Sequence, residues 1–242
     1  MKRNGARTLL MGGQACVFYG AAEFSRDVDL VLLADGANLE RVRLALQELG
    51  ADLIAVPAFR ADFLAKGHAV HFRCHGGEVE DLRVDVMAVM RGVAPFEELW
   101  ERRTTLLVDG EEVDLLSLQD LVAAKKTQRD KDWPMIRRLV ERSYFGCVGT
   151  PSENLVSFWM LELRTPDLLC TIAAEHHAVA AAIADSRPAV RSALAGDVDG
   201  VRALLALEES EERERDRVYW EPLRRELEEL RRAKRLAEDT KE

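Results

Sequence analysis

The chain has 242 residues, of which 48% are hydrophobic and 32% charged, with a formal net charge of −9. This length suits one or two domains with a real core, and the acidic balance excludes a protein that grips a polyanion through its overall field. No run approaches the roughly 20 apolar residues of a membrane span. The four cysteines, Cys16, Cys74, Cys147 and Cys170, form no C-x-x-C pair, so neither a disulfide framework nor a zinc finger is expected.

In chain order, the charged N-terminus is followed by only a short apolar run, so no secretion signal is expected. Free thiols and a cytoplasmic location follow from the cysteine pattern. Thr8 to Met11 reads as a strand running into Gly12-Gly13, and Gln14 to Ala22 as a helix. Val28 to Leu33 is a continuous apolar strand of the buried kind. Asn38 to Leu49 is a helix by the spacing of Leu39, Val42, Leu46 and Leu49, with Gly50 at its end. His68 to Cys74 and Leu82 to Val89 flank Gly76-Gly77 and read as antiparallel strands. Thr105 to Val108 and Glu112 to Leu116 flank Asp109-Gly110, a hairpin turn. The fold class is α/β (α+β): a mixed sheet with helices in a domain over 1–145, then a helical region over 150–242.

From Ser117 the pattern is helical. Ser117 with Asp120 caps a helix to about Gln128, and Asp132 caps another to about Ser143. Residues 145–152 read as a boundary. Thr150-Pro151, Thr165-Pro166 and Pro188 read as helix starts. The Glu- and Arg-rich tail should end or kink at Pro222. Beyond it, Leu223, Leu227 and Leu230 make a seam of only about two heptads. Packing back on the protein is favoured over a zipper, giving a monomer or weak dimer.

Chemistry concentrates between Leu9 and Leu33. Two glycines let backbone amides approach a triphosphate closely, and the helix that follows favours negative charge. Asp27 and Asp29 stand at i and i+2 of a strand and share a face. Carboxylates so placed form an oxygen-donor site for Mg²⁺, and two such ions can align an attacking hydroxyl with a leaving pyrophosphate. Asp85, acidic in an otherwise apolar strand, is the candidate third carboxylate, because burying it without a cation would be costly.

The ordered elements Leu10-Met-Gly-Gly, Tyr19-Gly20 and Ser25-Arg-Asp-Val-Asp-Leu resemble the signature of the DNA polymerase β-like nucleotidyltransferase superfamily, with Asp85 at its third acidic position. The segment Leu116 to Asp132 resembles the corresponding helix of the abortive-infection and toxin-type branch. The resemblance covers roughly residues 8–140. It implies metal ligation by Asp27, Asp29 and Asp85, with Mg²⁺ or Mn²⁺ as cofactor and an NTP as substrate. It also implies triphosphate contacts from Gly12, Gly13 and Ser25, with Lys125 facing the phosphates and Asp132 a further functional carboxylate. The acceptor could be a transfer RNA, a protein or a small molecule, and an antitoxin-like partner is implied. One position departs from that branch: Glu23 stands where its members usually carry arginine. A catalytically silent binding module acting through the helical tail therefore stands as the alternative.

Weaker signals receive structural readings. His68 and Cys74 fall on the opposite strand face from His71 and His75, so a zinc site is not expected. His176-His177 reads as a surface or helix-packing feature, and the four tryptophans as core. Lys125, Lys126, Arg129, Lys131, Arg137 and Arg138 form the one basic concentration near the proposed site.

Overall fold

A computed structural model describes residues 1–239. The chain divides into two compact units. One contains Met1–Phe18, Ala22–Ala124 and the chain from Val218 on; the other contains Tyr19–Ala21 and Lys125–Arg217.

The first unit is built on a seven-stranded mixed sheet. Its strands are β1 (Thr8–Met11), β2 (Asp27–Leu32), β3 (Ala51–Leu53), β4 (Val70–Cys74), β5 (Arg83–Met87), β6 (Thr104–Val108) and β7 (Glu111–Leu115), in the order β3-β4-β5-β2-β1-β7-β6. β2 lies centrally, antiparallel to β1 and parallel to β5, and it buries Leu30, Val31 and Leu32. The expected hairpin between β4 and β5 forms. So does the one between β6 and β7, where Asp109 and Gly110 both take positive φ (51° and 83°). That is the primed turn whose twist suits a two-residue connection.

Helix α1 (Gly12–Phe18) starts at the glycine pair itself and ends before the expected Ala22; Gly20, just beyond it, takes positive φ (71°), which a continuing helix does not allow. Helix α2 (Gly36–Glu48) is capped by Asp35, whose carboxylate accepts from the Asn38 amide at 2.6 Å. Asn38 is buried. Its side chain accepts from Arg7 N and donates to the Arg7 and Leu33 carbonyls, tying α2 to the strand ends. The short elements β3, α3 (Ala61–Lys66) and α4 (Phe96–Glu101) carry too few apolar positions to reveal a period. Helix α5 (Leu118–Ala124) has the expected Ser117–Asp120 cap but stops short of Gln128. The cap carboxylate also takes a bidentate bond from Arg102 at 2.6 and 2.7 Å.

The second unit is helical: α6 (Asp132–Phe145), α7 (Glu153–Glu162), α8 (Pro166–Glu175), α9 (His177–Ile183), α10 (Pro188–Leu194) and the first part of α11 (Val198–Asp239). The expected boundary at 145–152 is the loop between α6 and α7, inside this unit. Helix α7 is capped by Ser152, so Pro151 precedes the cap rather than opening the first turn. Thr165-Pro166 and Pro188 do open α8 and α10. His176 breaks the alanine-rich stretch into two helices. Trp133 and Trp159 are core, whereas Trp100 and Trp220 are only partly buried. Arg187, 6% exposed, donates to the Met160 and Leu163 carbonyls and to Glu208, satisfying the end of α7.

Helix α11 continues through Pro222, contrary to the expected break. A proline removes one ladder bond. The remaining turns here are laced by pairs such as Glu221–Arg225 and anchored by buried Leu223. Of the leucine seam, Leu223 is buried on its own unit, while Leu227 and Leu230 are only partly buried. A Cβ at Gly67 would meet Tyr219 and Leu223, and Glu226 bonds Lys66 and His68. Residues 240–242 of the expected helical region lie outside those described. No described helix is long and apolar enough to cross a membrane.

Pro222→Ala restores an amide that can donate to the Val218 carbonyl, at an exposed position. It should stabilise the protein by about 1–3 kcal/mol, seen as a higher urea midpoint with unchanged slope.

Candidate functional site

Asp27 and Asp29 sit at the start of β2 on one face, both partly exposed. The parallel register sets Asp29 abreast of Asp85 on β5 and Asp27 abreast of Arg83. On the other side, Asp29 faces Met11, the last residue of β1. The next residue is Gly12, at φ +67°, where a Cβ would lie 1.9 Å from Asp29 Oδ2. Only glycine fits there, on both conformational and steric grounds. At Gly13 a Cβ would fall 2.4 Å from Ser25 Oγ. Ser25 Oγ donates to the Asp27 carbonyl at 3.2 Å, and Gln14 donates to the Ser25 carbonyl at 2.9 Å. The glycine turn, the Ser25 loop and Asp29 are thus packed against one another.

Asp85 is held by two basic side chains. Arg83 donates to both of its oxygens, Nε at 2.8 Å and a terminal nitrogen at 2.9 Å. His71, directly opposite on β4, places Nδ1 2.9 Å from Asp85 and 3.1 Å from Arg83. Burial alone would raise the Asp85 pKa. The hydrogen bonds from His71 and Arg83, with the charge of the Arg83 guanidinium, outweigh it and hold the carboxyl below its ordinary range. Arg83 is pushed above its ordinary value, foremost by its hydrogen bond to Asp85 and then by the charges of Asp85, Asp27 and Asp29.

Among the described residues, no three His, Cys, Asp or Glu side chains converge as a metal cluster. The three aspartates are neighbours in the sheet without forming a closed ligand set, because Asp85 turns its oxygens to Arg83 and His71. By donor chemistry and strand placement, Asp27, Asp29 and Asp85 are the residues that could hold a hard divalent cation such as Mg²⁺ or Mn²⁺.

The second unit places Lys125 and Asp132 together, 9% and 1% exposed, at 3.0 Å. Asp132 opens α6 but does not cap it; its carboxylate instead accepts from Lys125, Thr127 and Arg129. Burial opposes ionisation, yet Lys125, Thr127 and Arg129 together hold the Asp132 pKa below its ordinary value. The basic concentration is largely paired internally: Lys126 with Glu162, and Arg137 with Glu141. Glu23, in the first unit, is exposed.

Sequence reasoning missed Arg83 and read His71 only against zinc. The Arg83-x-Asp85 alternation on one strand face was a readable signal, whereas the His71 contact needs the strand register. The other histidines and Cys74 do not join them. His68 is buried against Glu226, His75 lies 3.8 Å from Asp52 and Glu80, and Cys74 is a buried free thiol.

No protein-family profile matches the chain, and no curated protein does. Among solved structures, the chain is similar to the crystal structure of an antigenic nucleotidyltransferase-like protein from Paracoccidioides brasiliensis. The TM-score is 0.36 and the identity 19%, over 78% of this chain and 84% of that one.

Gly12→Ala should cost at least about 2 kcal/mol, whereas Gly36→Ala, in open space in the first turn of α2, should be neutral or mildly stabilising; urea unfolding of both checks this. Lys125→Met leaves the Asp132 carboxylate buried with only Arg129 as its charge partner, a loss of about 3–5 kcal/mol at pH 7. Because the folded-state pKa of Asp132 is depressed, its contribution is present above the unfolded value of about 3.9 and fades as pH falls through the folded one. The gap between wild type and Lys125→Met should therefore narrow below about pH 4.

Proposed function

We propose that the chain is a metal-dependent nucleotidyltransferase that moves a nucleoside monophosphate from an NTP to an acceptor hydroxyl and releases pyrophosphate. The observation that carries this reading is Asp29 standing abreast of Asp85, with Asp27 on the same face and the Gly12 turn closed against Asp29. Asp27, Asp29 and Asp85 would hold Mg²⁺ or Mn²⁺. Once bound, the ion would supply Lewis-acid stabilisation of charge on the phosphoryl oxygens.

The chain's own groups take the remaining roles. Gly12 and Gly13 keep side chains out of the way of a triphosphate, and Ser25, packed on Gly13, lines the same turn. Asp85 would take the acceptor's proton; held by Arg83 and His71 it is a weak base, so that role requires their grip to loosen. A phosphate contact from Lys125 would require it to leave Asp132, and we assign this pair a structural role. Action as a toxin or phage-defence component with an antitoxin-like partner belongs to the same proposal. The acceptor is a hydroxyl of a transfer RNA, a protein or a small molecule.

Arg83 favours a second reading. Its bidentate hold on Asp85, together with Glu23 in place of arginine, suits a silent module that keeps the fold and neutralises its own carboxylates. Incubation with α-phosphate-labelled NTPs, Mg²⁺ or Mn²⁺ and cell extract separates the two. The enzyme reading expects label in RNA, protein or small molecules, and at least a roughly hundredfold loss with Asp29→Asn. Label in no fraction, with the fold intact, would favour the silent module.

A further inference from the structure

Arg83 occupies the position in the carboxylate group that a cation would be expected to fill. Its guanidinium forks onto both oxygens of Asp85 at 2.8 and 2.9 Å, and its strand position lies abreast of Asp27. A metal ion joining Asp85 needs the same oxygens, and a planar fork leaves none of them unshared. Two cations close together among half-buried groups repel each other, so the guanidinium and a divalent ion exclude one another. The Arg83 side chain is 39% exposed against 17% for Asp85, so it can swing to solvent while the carboxylate stays on the sheet. His71, bonded to Asp85 from the neighbouring strand, keeps that carboxylate placed when Arg83 leaves.

We propose that Arg83 is a built-in counter-ion that competes with the divalent cation for Asp85 and so sets how tightly the site holds metal. This rests on reading Asp27, Asp29 and Asp85 as metal ligands. The arrangement makes the nucleotide-free protein a weak metal binder.

Mn²⁺ titration without nucleotide, followed by electron paramagnetic resonance of the free ion, tests this on the full chain. Arg83→Gln should bind Mn²⁺ about tenfold more tightly than wild type, while Arg83→Lys, which keeps the charge, should stay within about threefold of it. Arg83→Met is a second neutral variant should the glutamine form unfold, and thermal melting confirms the fold of each. Equal affinity in wild type and the neutral variants would overturn the counter-ion role and leave the nucleotidyltransferase reading standing. No Mn²⁺ binding by any of these folded proteins at millimolar concentrations would overturn both.

Discussion

The parallel pairing of β2 with β5 is the constraint on which the site depends. It places Asp29 abreast of Asp85, a juxtaposition of like charges that a sheet pays for unless something offsets it. The offset comes from Arg83 on the same strand as Asp85 and from His71 on the strand beyond. The other neighbours of β2 hold it in place. β1 pairs along its length and delivers Gly12 against Asp29, and Asn38 fastens the end of β2 to the start of β1.

Much of this was legible in the sequence, for identifiable reasons. The apolar run after Asp29 reads as a buried strand because β2 is central. Asp109-Gly110 reads as a turn because positive φ at both positions has few sequence solutions. Asp27, Asp29 and the glycine pair stand out because their spacing follows the strand period. Other features were not legible. β3 and α4 are too short to show a period. The fate of Asp132 depended on tertiary partners: a helix-opening aspartate normally caps, but here Lys125, Thr127 and Arg129 draw it inward. Pro222 reads as a stop by local rules, and the helix runs through it under its ion pairs and buried Leu223.

Charge is handled differently in the two units. In the second, the cations that look like a basic patch in sequence are mostly used internally. Lys125 meets Asp132, Lys126 meets Glu162, and Arg187 and Arg164 share Glu208. Arg164 is correspondingly pushed below its ordinary value, first by burial and then by the charge of Arg187. That leaves less free positive charge for a polyanionic acceptor than the sequence suggests, in keeping with the net charge of −9. In the first unit, the carboxylates with Arg83 among them form the chemically distinctive group.

The central claim is that Asp27, Asp29 and Asp85 serve a metal-bound nucleotide. Calorimetry of NTP binding with and without Mg²⁺, on wild type and Asp29→Asn, tests it most directly. The account predicts Mg²⁺-dependent binding by wild type that the substitution abolishes. Absence of binding by the folded wild type, or equal binding by both proteins, would contradict it.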